Sequence, residues 1–308
     1  MRTALIIPTR NGAPFLDQLL PALARQTLAP DRILVIDSGS TDGGPARWRD
    51  HGAQVVGIDP ARFNHGGTRR WASEQVGEAD TLIYMTQDAV PARNDAFARL
   101  CAGLHAATDI GCAYGRQLPH PHASVLARHA RAFNYPAAGR IKRLADQVEL
   151  GIKTCFSSDA FAAYRRDALE RVGGFPADVI GSEDAYVAAR LLQAGLAVHY
   201  VADAQVCHSH DYTPAEEFRR YFDVGVFYRR ERWIGETFGH AGSEGLRFVI
   251  SELRALRAAG QSWRAPEALW RSLMKLSGYR LGHLEHHLPR ALKRHLGMFS
   301  RYWDPLSP

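Results

Sequence analysis

Short apolar runs alternate with helix-period stretches over the first 118 residues of this 308-residue chain. ALIIP, RILVID, AQVVGI and TLIYMT read as strands, helices are expected around 14–26, 44–51, 67–77 and 94–106, and IGCAYGRQL reads as a further strand. Such alternation predicts βαβ units in an α/β fold with a mixed, mostly parallel central sheet. Right-handed crossovers would then gather the loops that follow the strands along one edge. Residues 119–150 break the pattern, are rich in His, Arg and Pro, and read as an excursion over that edge instead of core. A second α/β stretch follows, with TCFSSDAFAAYRR as strand into helix, GGFP as a turn, SEDAYVAARLLQAG as a helix ended by Gly195, and LAVHYVADAQVCHSH as one or two strands. Beyond Tyr212 the pattern turns helical, opening on Thr213-Pro214-Ala215-Glu216 with an N-cap threonine, a proline at the first helical position and a capping-box glutamate. The expected division is an α/β domain over 1–212 and a helical extension over 213–308.

Composition narrows this picture only slightly. A hydrophobic content of 46% allows a substantial core, and a formal charge of +6 favours an anionic partner without choosing one. Cys101, Cys112, Cys155 and Cys207 show no CxxC spacing, so reduced thiols in the cytoplasm are expected rather than a zinc ribbon or a disulfide framework. The N-terminal apolar run is too short for a signal peptide, and no stretch reaches membrane-spanning length, which predicts a soluble or peripheral protein.

Candidate chemistry sits at the ends of the strand-like runs. Thr9-Arg10-Asn11 follows ALIIP, Asp37-Ser38-Gly39-Ser40 follows RILVI, and Gln87-Asp88 follows TLIYMT. In an open α/β sheet such clusters line one crevice, the arrangement of a nucleotide-binding domain. Asp37 either accepts from the imide N–H of uracil or thymine or only shapes its loop. FNHGGTRRWA offers a helix N-terminus suited to phosphate, with Arg69 and Arg70 adding charge, although a Gly turn before a helix is more often structural. Asp88 is placed to hold Mg²⁺ or Mn²⁺ against a diphosphate, or to cap the next turn. Glu183 and Asp184 open a helix, where the dipole favours acids in any case, and one of them can serve as a general base. His208 and His210, two apart on an extended segment, point the same way and can complete a coordination set begun by Asp88.

Taken in order, IIPTRNG, VIDSGSTDG, FNHGGTRRWA, YMTQDA, VGGFP, SEDAYVAARLL and VCHSH resemble the family 2 inverting glycosyltransferases of the GT-A fold. GRQLPHPHASVLARHARAFNYP, FSSDAFAAYRR and the FNHGGTR segment look like the bacterial rhamnosyltransferase branch of O-antigen and related polysaccharide assembly. The resemblance spans roughly 3–240 and implies roles residue by residue. Pro8, Thr9, Arg10, Asp37, Ser38 and Gln87 would hold the nucleotide, with Arg69 near the base or diphosphate. Asp88 would be the metal carboxylate with His208, or in second place His210, as its imidazole partner. Asp184 would be the catalytic base, with Glu183 the second choice. The nucleotide-sugar half would cover about 1–118 and the acceptor half about 119–212. The family's DxD metal motif reads Thr86-Gln87-Asp88 here, so its first acid is absent and strict metal dependence is not implied. The implied donor is dTDP-β-L-rhamnose, and the implied acceptor an oligosaccharide or lipid-linked saccharide.

Between Ser262 and Trp303 the cations Arg264, Arg271, Lys275, Arg280, Arg290, Lys293, Arg294 and Arg301 outnumber Glu267 and Glu285. Trp263, Leu269, Trp270, Leu273, Leu276 and Tyr279 recur among them at near-helical spacing, which suits helices lying on the inner face of the cytoplasmic membrane, packing on the domain, or a homodimer contact. Two other functions fit parts of the chain. A nucleotidyltransferase usually carries a GxGTR-type loop where this sequence has PTRNGAP, and a pure sugar- or nucleotide-binding module has no use for a base opposite a metal. Nucleic-acid binding lacks its usual motifs here.

Overall fold

Alternate residues of the first strand, β1 (Thr3–Thr9), feed two separate cores: Ala4 and Ile6 pack into one, Leu5 and Ile7 into the other. The computed structural model describes residues 1–239 and 242–304. β1 is flanked by parallel β2 (Arg32–Asp37) and β4 (Thr81–Met85), and β2 pairs with parallel β3 (Gln54–Gly57). Helices Ala13–Ala24, Gly44–Asp50 and Ala96–Leu104 bury Leu16, Leu19, Trp48, Phe97 and Leu100 on one face. Helices His65–Gln75 and Glu183–Gln193 bury Ala72, Val187, Leu191 and Leu192 on the other. Parallel strands thus need cover on both sides, and the near-continuous apolar runs supply it.

The other half of the sheet is mixed. β5 (Val90–Pro91), β6 (Ile110–Leu118), β7 (Arg140–Lys142), β8 (Phe161–Arg165) and β9 (Ala197–Cys207) complete the order β3-β2-β1-β4-β8-β6-β9-β5, with β7 also on β9. β8 runs antiparallel between β4 and β6. TCFSSDAFAAYRR is therefore a 3-10 turn at Gly151–Cys155, a loop and only then a strand. LAVHYVADAQVCHSH is one long strand, with His199 inside it and His208 and His210 past its end.

Residues 119–150 are not the coreless excursion expected from their polarity. They contain helix Val125–Asn134 and β7, and Leu126, Ala127, Tyr135 and even Lys142 are buried. The interleaved Arg128, His129 and Arg131 hide the apolar stripe of that helix in the sequence. Lys142 is tolerated because its ammonium donates to the Tyr114 hydroxyl and to the carbonyls of Lys153 and Phe156.

Beyond Thr213, which forms the expected capping box with Glu216, helix Pro214–Arg230 crosses helix Ala265–His283 at very close range. A Cβ on Gly225 would meet the Tyr279 carbonyl at 2.2 Å, one on Gly278 the Phe218 carbonyl at 2.3 Å, and one on Gly282 the Phe222 carbonyl at 2.1 Å. Only glycine lets these two backbones touch. The chain then returns to the sheet edge, where buried Asp223 accepts backbone N–H bonds from Met298 (2.8 Å) and Phe299 (2.9 Å).

Candidate active site

Strand pairing assembles the first cluster. β5 pairs antiparallel with the end of β9, Val90 opposite Cys207, which brings the turn holding Asp88 beside His208 and His210. The His208 backbone N–H extends the ladder to the Leu118 carbonyl at 2.9 Å, fixing where that imidazole starts. His208 Nε2 and His210 Nε2 each lie 3.4 Å from Asp88 Oδ2 and 3.0 Å from one another. One ligand atom from each of the three residues falls within 4.8 Å of the others, a possible metal-ligand set.

The surroundings prepare His208 for that role. Gln117, buried, takes an N–H of Arg131 on its Oε1 and donates its Nε2–H to Ser158 Oγ at 2.8 Å. Its Oε1 is therefore an acceptor, so the His208 Nδ1 facing it at 2.9 Å carries the proton and Nε2 presents its lone pair. Burial, with the charge of His208, pushes His210 down to about 4, which leaves a neutral imidazole at physiological pH. Burial opposes charge on Asp88, yet when a proton sits on His208 Nε2, the position a cation would take instead, that N–H and its charge hold the Asp88 carboxyl well below the usual carboxylate range.

A second cluster lies at the start of helix Glu183–Gln193. Arg69, 4% exposed, meets Asp159 at 3.1 Å and Glu183 at 2.9 Å and donates to the His65 carbonyl at 3.0 Å. The approach of the loop at Pro176 to the start of helix His65–Gln75 requires Gly66, whose added Cβ would meet the Pro176 carbonyl at 1.9 Å. Ser182 takes a left-handed conformation (φ 60°) just before the acids, the kind of local strain that clusters at functional sites. Two buried acids, Asp159 and Glu183, take this one cation, and half-buried Asp184 stands beside them. Burial would raise Glu183, but Arg69 beside it and His65 hold it low. Asp184 has no such direct partner: burial and then the Glu183 charge push it up. Burial pushes Asp159 up further, against the pull of Arg69, and the Tyr164 hydroxyl donates to its Oδ1 at 2.7 Å. Asp184 Oδ2 accepts from the Asp159 backbone N–H at 3.3 Å, while Oδ1 accepts from Ala185 at 2.7 Å.

The two clusters are joined. From Asp184 the path runs to the Asp159 backbone, to the adjoining Ser158 hydroxyl, to Gln117 and to His208. Asp88, Asp184 and His208, far apart in the chain, thus belong to one neighbourhood.

Strand ends supply the remaining polar groups. Gln87 binds across from β4 to the end of β1, its Oε1 accepting from the Thr9 hydroxyl (2.6 Å) and the Arg10 backbone (2.9 Å). Asp37 accepts from the Ser40 backbone and hydroxyl, a loop-shaping turn, and Ser38 donates to the Thr9 carbonyl. A cleft of about 900 Å³ opens beside these ends, bordered by Pro8, Thr9, Arg10, Ser38, Arg69, Gln87 and Asp88. Asp37, Asp184, His208 and His210 lie outside its lining. Its far wall comes from 298–304: Phe299 packs on His65 at 4.4 Å between ring centroids, Tyr302 donates to the Asp178 carbonyl at 2.7 Å, and Arg301 donates to the Pro60 carbonyl.

The model of the family described as "Glycosyl transferase family 2" matches residues 4–173, the span that holds both strand-end loops, Asp88 and Asp159. The chain belongs to glycosyl transferase family 2. As a member of that family it is a glycosyltransferase, and the nucleotidyltransferase and binding-module readings give way. It is 45% identical over 307 residues to the O-antigen chain rhamnosyltransferase RfbN of Salmonella typhimurium, covering 99% of this chain and 96% of that one. It is 42% identical to the O-antigen chain rhamnosyltransferase WbaN of Salmonella anatum, covering 97% and 95%. Among solved structures, a mannosyltransferase from Pyrobaculum calidifontis in complex with GDP-Man and Mn²⁺ superposes with a TM-score of 0.62 at 19% identity, covering 92% and 86%. That likeness carries the fold, a GT-A glycosyltransferase architecture.

Within this glycosyltransferase, sequence patterns missed three contributors. Asp159 and Gln117 sit in segments legible as strand ends but carry no spacing signal, because their partners come from other elements. The wall at 298–304 reads as a basic tail, and nothing local in it points to a cleft more than 200 residues upstream.

Proposed function

We propose that this enzyme moves L-rhamnose from dTDP-β-L-rhamnose to a hydroxyl of a growing, lipid-linked surface polysaccharide. The observation that carries the reading is the path of hydrogen bonds, joined through the Ser158–Asp159 backbone, from a possible cation site, Asp88–His208–His210, to a half-buried carboxylate of raised proton affinity, Asp184. The names of the two Salmonella relatives, similar over nearly their whole length, support rhamnose as the sugar and O-antigen as the product class.

In this reading the loops at Pro8, Thr9, Arg10, Asp37, Ser38 and Gln87 hold the nucleotide, and Arg69 braces the carboxylates from behind. Asp184 accepts the proton of the acceptor hydroxyl as its oxygen attacks the anomeric carbon. The bond from that carbon to the diphosphate oxygen breaks, dTDP departs, and the single displacement turns the β donor into an α product. Glu183, engaged by Arg69, keeps its charge and raises the basicity of its neighbour. Mn²⁺ or Mg²⁺ would be held by Asp88, His208 and His210, and the mixed carboxylate–imidazole set suits Mn²⁺ at least as well. When bound, such a cation stabilises the departing diphosphate as a Lewis acid.

Residues 1–212 form the catalytic part, about 1–118 serving the donor and about 119–212 the acceptor. The extension from 213 closes the donor cleft and presents its outer face to the cytoplasmic side of the membrane. Support for that contact comes from Trp263, Leu269, Trp270, Leu273 and Leu276, all exposed, beside exposed Arg254, Arg257 and Arg280. Among the described residues no helix is long and apolar enough to cross a membrane.

The test is a donor panel. With dTDP-, UDP- and GDP-sugars, Mn²⁺ or EDTA, and an acceptor saccharide, release of free dTDP from dTDP-rhamnose and an α-linked product are expected. Release of UDP or GDP instead, or of pyrophosphate, would refute the donor assignment.

A further inference from the structure

Two arginines stand beside the Asp88–His208–His210 cluster; the charge of Asp88 reaches Arg131 and that of Glu217 reaches Arg220, without direct pairing among the described residues. Arg131, on helix Val125–Asn134, donates to Gln117 Oε1, the same oxygen that orients His208, and lies over the Tyr135 ring at 5.7 Å. Arg220, on helix Pro214–Arg230, lies over the Tyr212 ring at 5.7 Å, and Tyr212 stacks on His210 at 5.0 Å. Their charges reach each other and both reach His210. Among the described residues neither guanidinium forms an ion pair. Glu217, one helical turn before Arg220, is taken by Lys275 at 3.1 Å and Arg271 at 3.5 Å.

Burial costs the Arg131 guanidinium free energy and lowers its proton affinity, and the Arg220 charge adds to that cost. A multiply charged oxyanion offsets both terms, and the planar donor fork of arginine matches phosphate oxygens two at a time. Arg220 keeps its solvent access, so an incoming anion can reach it. Neither arginine borders the donor cleft, whereas Asp88 does, so the pair meets the triad from outside that cleft.

We infer that Arg131 and Arg220 form a phosphate clamp next to the Asp88–His208–His210 cluster, binding the diphosphate of one of the two substrates. The inference rests on the proposed glycosyl transfer and extends it to a second set of residues. The shared chemistry is a diphosphate, and it has two sources: the terminal phosphate of the donor nucleotide, or a phosphate joining the acceptor saccharide to its lipid.

Calorimetric titration of the whole protein, with Mn²⁺ fixed, separates them. Wild type and Arg220→Gln are titrated with dTDP, with dTMP, and with geranyl diphosphate in the presence of saturating dTDP. Loss of a charge-assisted contact weakens the affected ligand by about tenfold to a hundredfold. If dTDP weakens and dTMP does not, the clamp holds the donor. If geranyl diphosphate weakens and dTDP does not, it holds the acceptor. Arg131→Gln is expected to weaken the same ligand, and Arg220→Lys, which keeps the charge, to recover part of the loss. Affinities for both diphosphates equal to wild type in folded Arg220→Gln and Arg131→Gln overturn the clamp. A wild-type protein that neither binds dTDP nor releases it from dTDP-rhamnose would instead refute the proposed function.

Discussion

Asp184, the proposed base, is tuned by what surrounds it: burial raises its proton affinity, a neighbouring carboxylate raises it again, and the nearby guanidinium is committed elsewhere. Asp184→Asn is expected to lower turnover by about 10²–10⁴-fold with the fold intact, checked by steady-state kinetics beside circular dichroism. A base works deprotonated, so activity should fall as pH drops through about 6, the value to which Asp184 is raised. Glu183→Gln removes one of the charges that raise it, and the acid limb of the pH–rate profile should move to lower pH. Arg69 carries the opposite lesson. Its removal leaves buried acids unpaired, so Arg69→Met should cost about 3–5 kcal/mol in urea unfolding. The sequence offered Glu183 and Asp184 as alternatives for one role, and their adjacency hid how differently they are placed. One helical step turns Glu183 onto Arg69 and leaves Asp184, among the described residues, accepting from backbone N–H groups.

At the level of elements, the decisive events are a strand register and a helix crossing. The short β5–β9 pairing alone brings Asp88 to the histidines. Continuous apolar runs made β1, β2 and β4 legible, but such a run carries no direction, so the antiparallel insertion of β8 between β4 and β6 was out of its reach. The crossing of helices Pro214–Arg230 and Ala265–His283 is equally silent in the hydrophobic pattern, since what fits there is the lack of a side chain. Gly278→Ala forces a methyl group to within 2.3 Å of the Phe218 carbonyl. It should destabilise the protein by about 1–3 kcal/mol, seen as a lower thermal midpoint. Asp223 anchors the returning segment through two N–H bonds. Asp223→Ala should raise the donor KM more than it lowers kcat, and expose the 298–304 segment to limited proteolysis.

For the molecule as a whole, the question is how a protein without a membrane-crossing helix among its described residues would reach the lipid-linked acceptor proposed for it. The exposed tryptophans and leucines of the extension, beside exposed arginines, favour an acidic bilayer surface. Sedimentation with vesicles should therefore require acidic lipid, weaken with salt, and drop on Trp263→Ser with Trp270→Ser; equal binding to neutral vesicles would contradict the model of charge-led docking. The same extension bends back to border the donor cleft, with Arg301 reaching Pro60 across 241 positions of chain. During synthesis, then, the triad and the carboxylates can be in place long before the cavity has its far side. A chain halted ahead of residue 298 would own every proposed catalytic group and still leave a nucleotide-sugar half in solvent, so competence to hold the donor arrives late, after the rest of the enzyme has emerged from the ribosome.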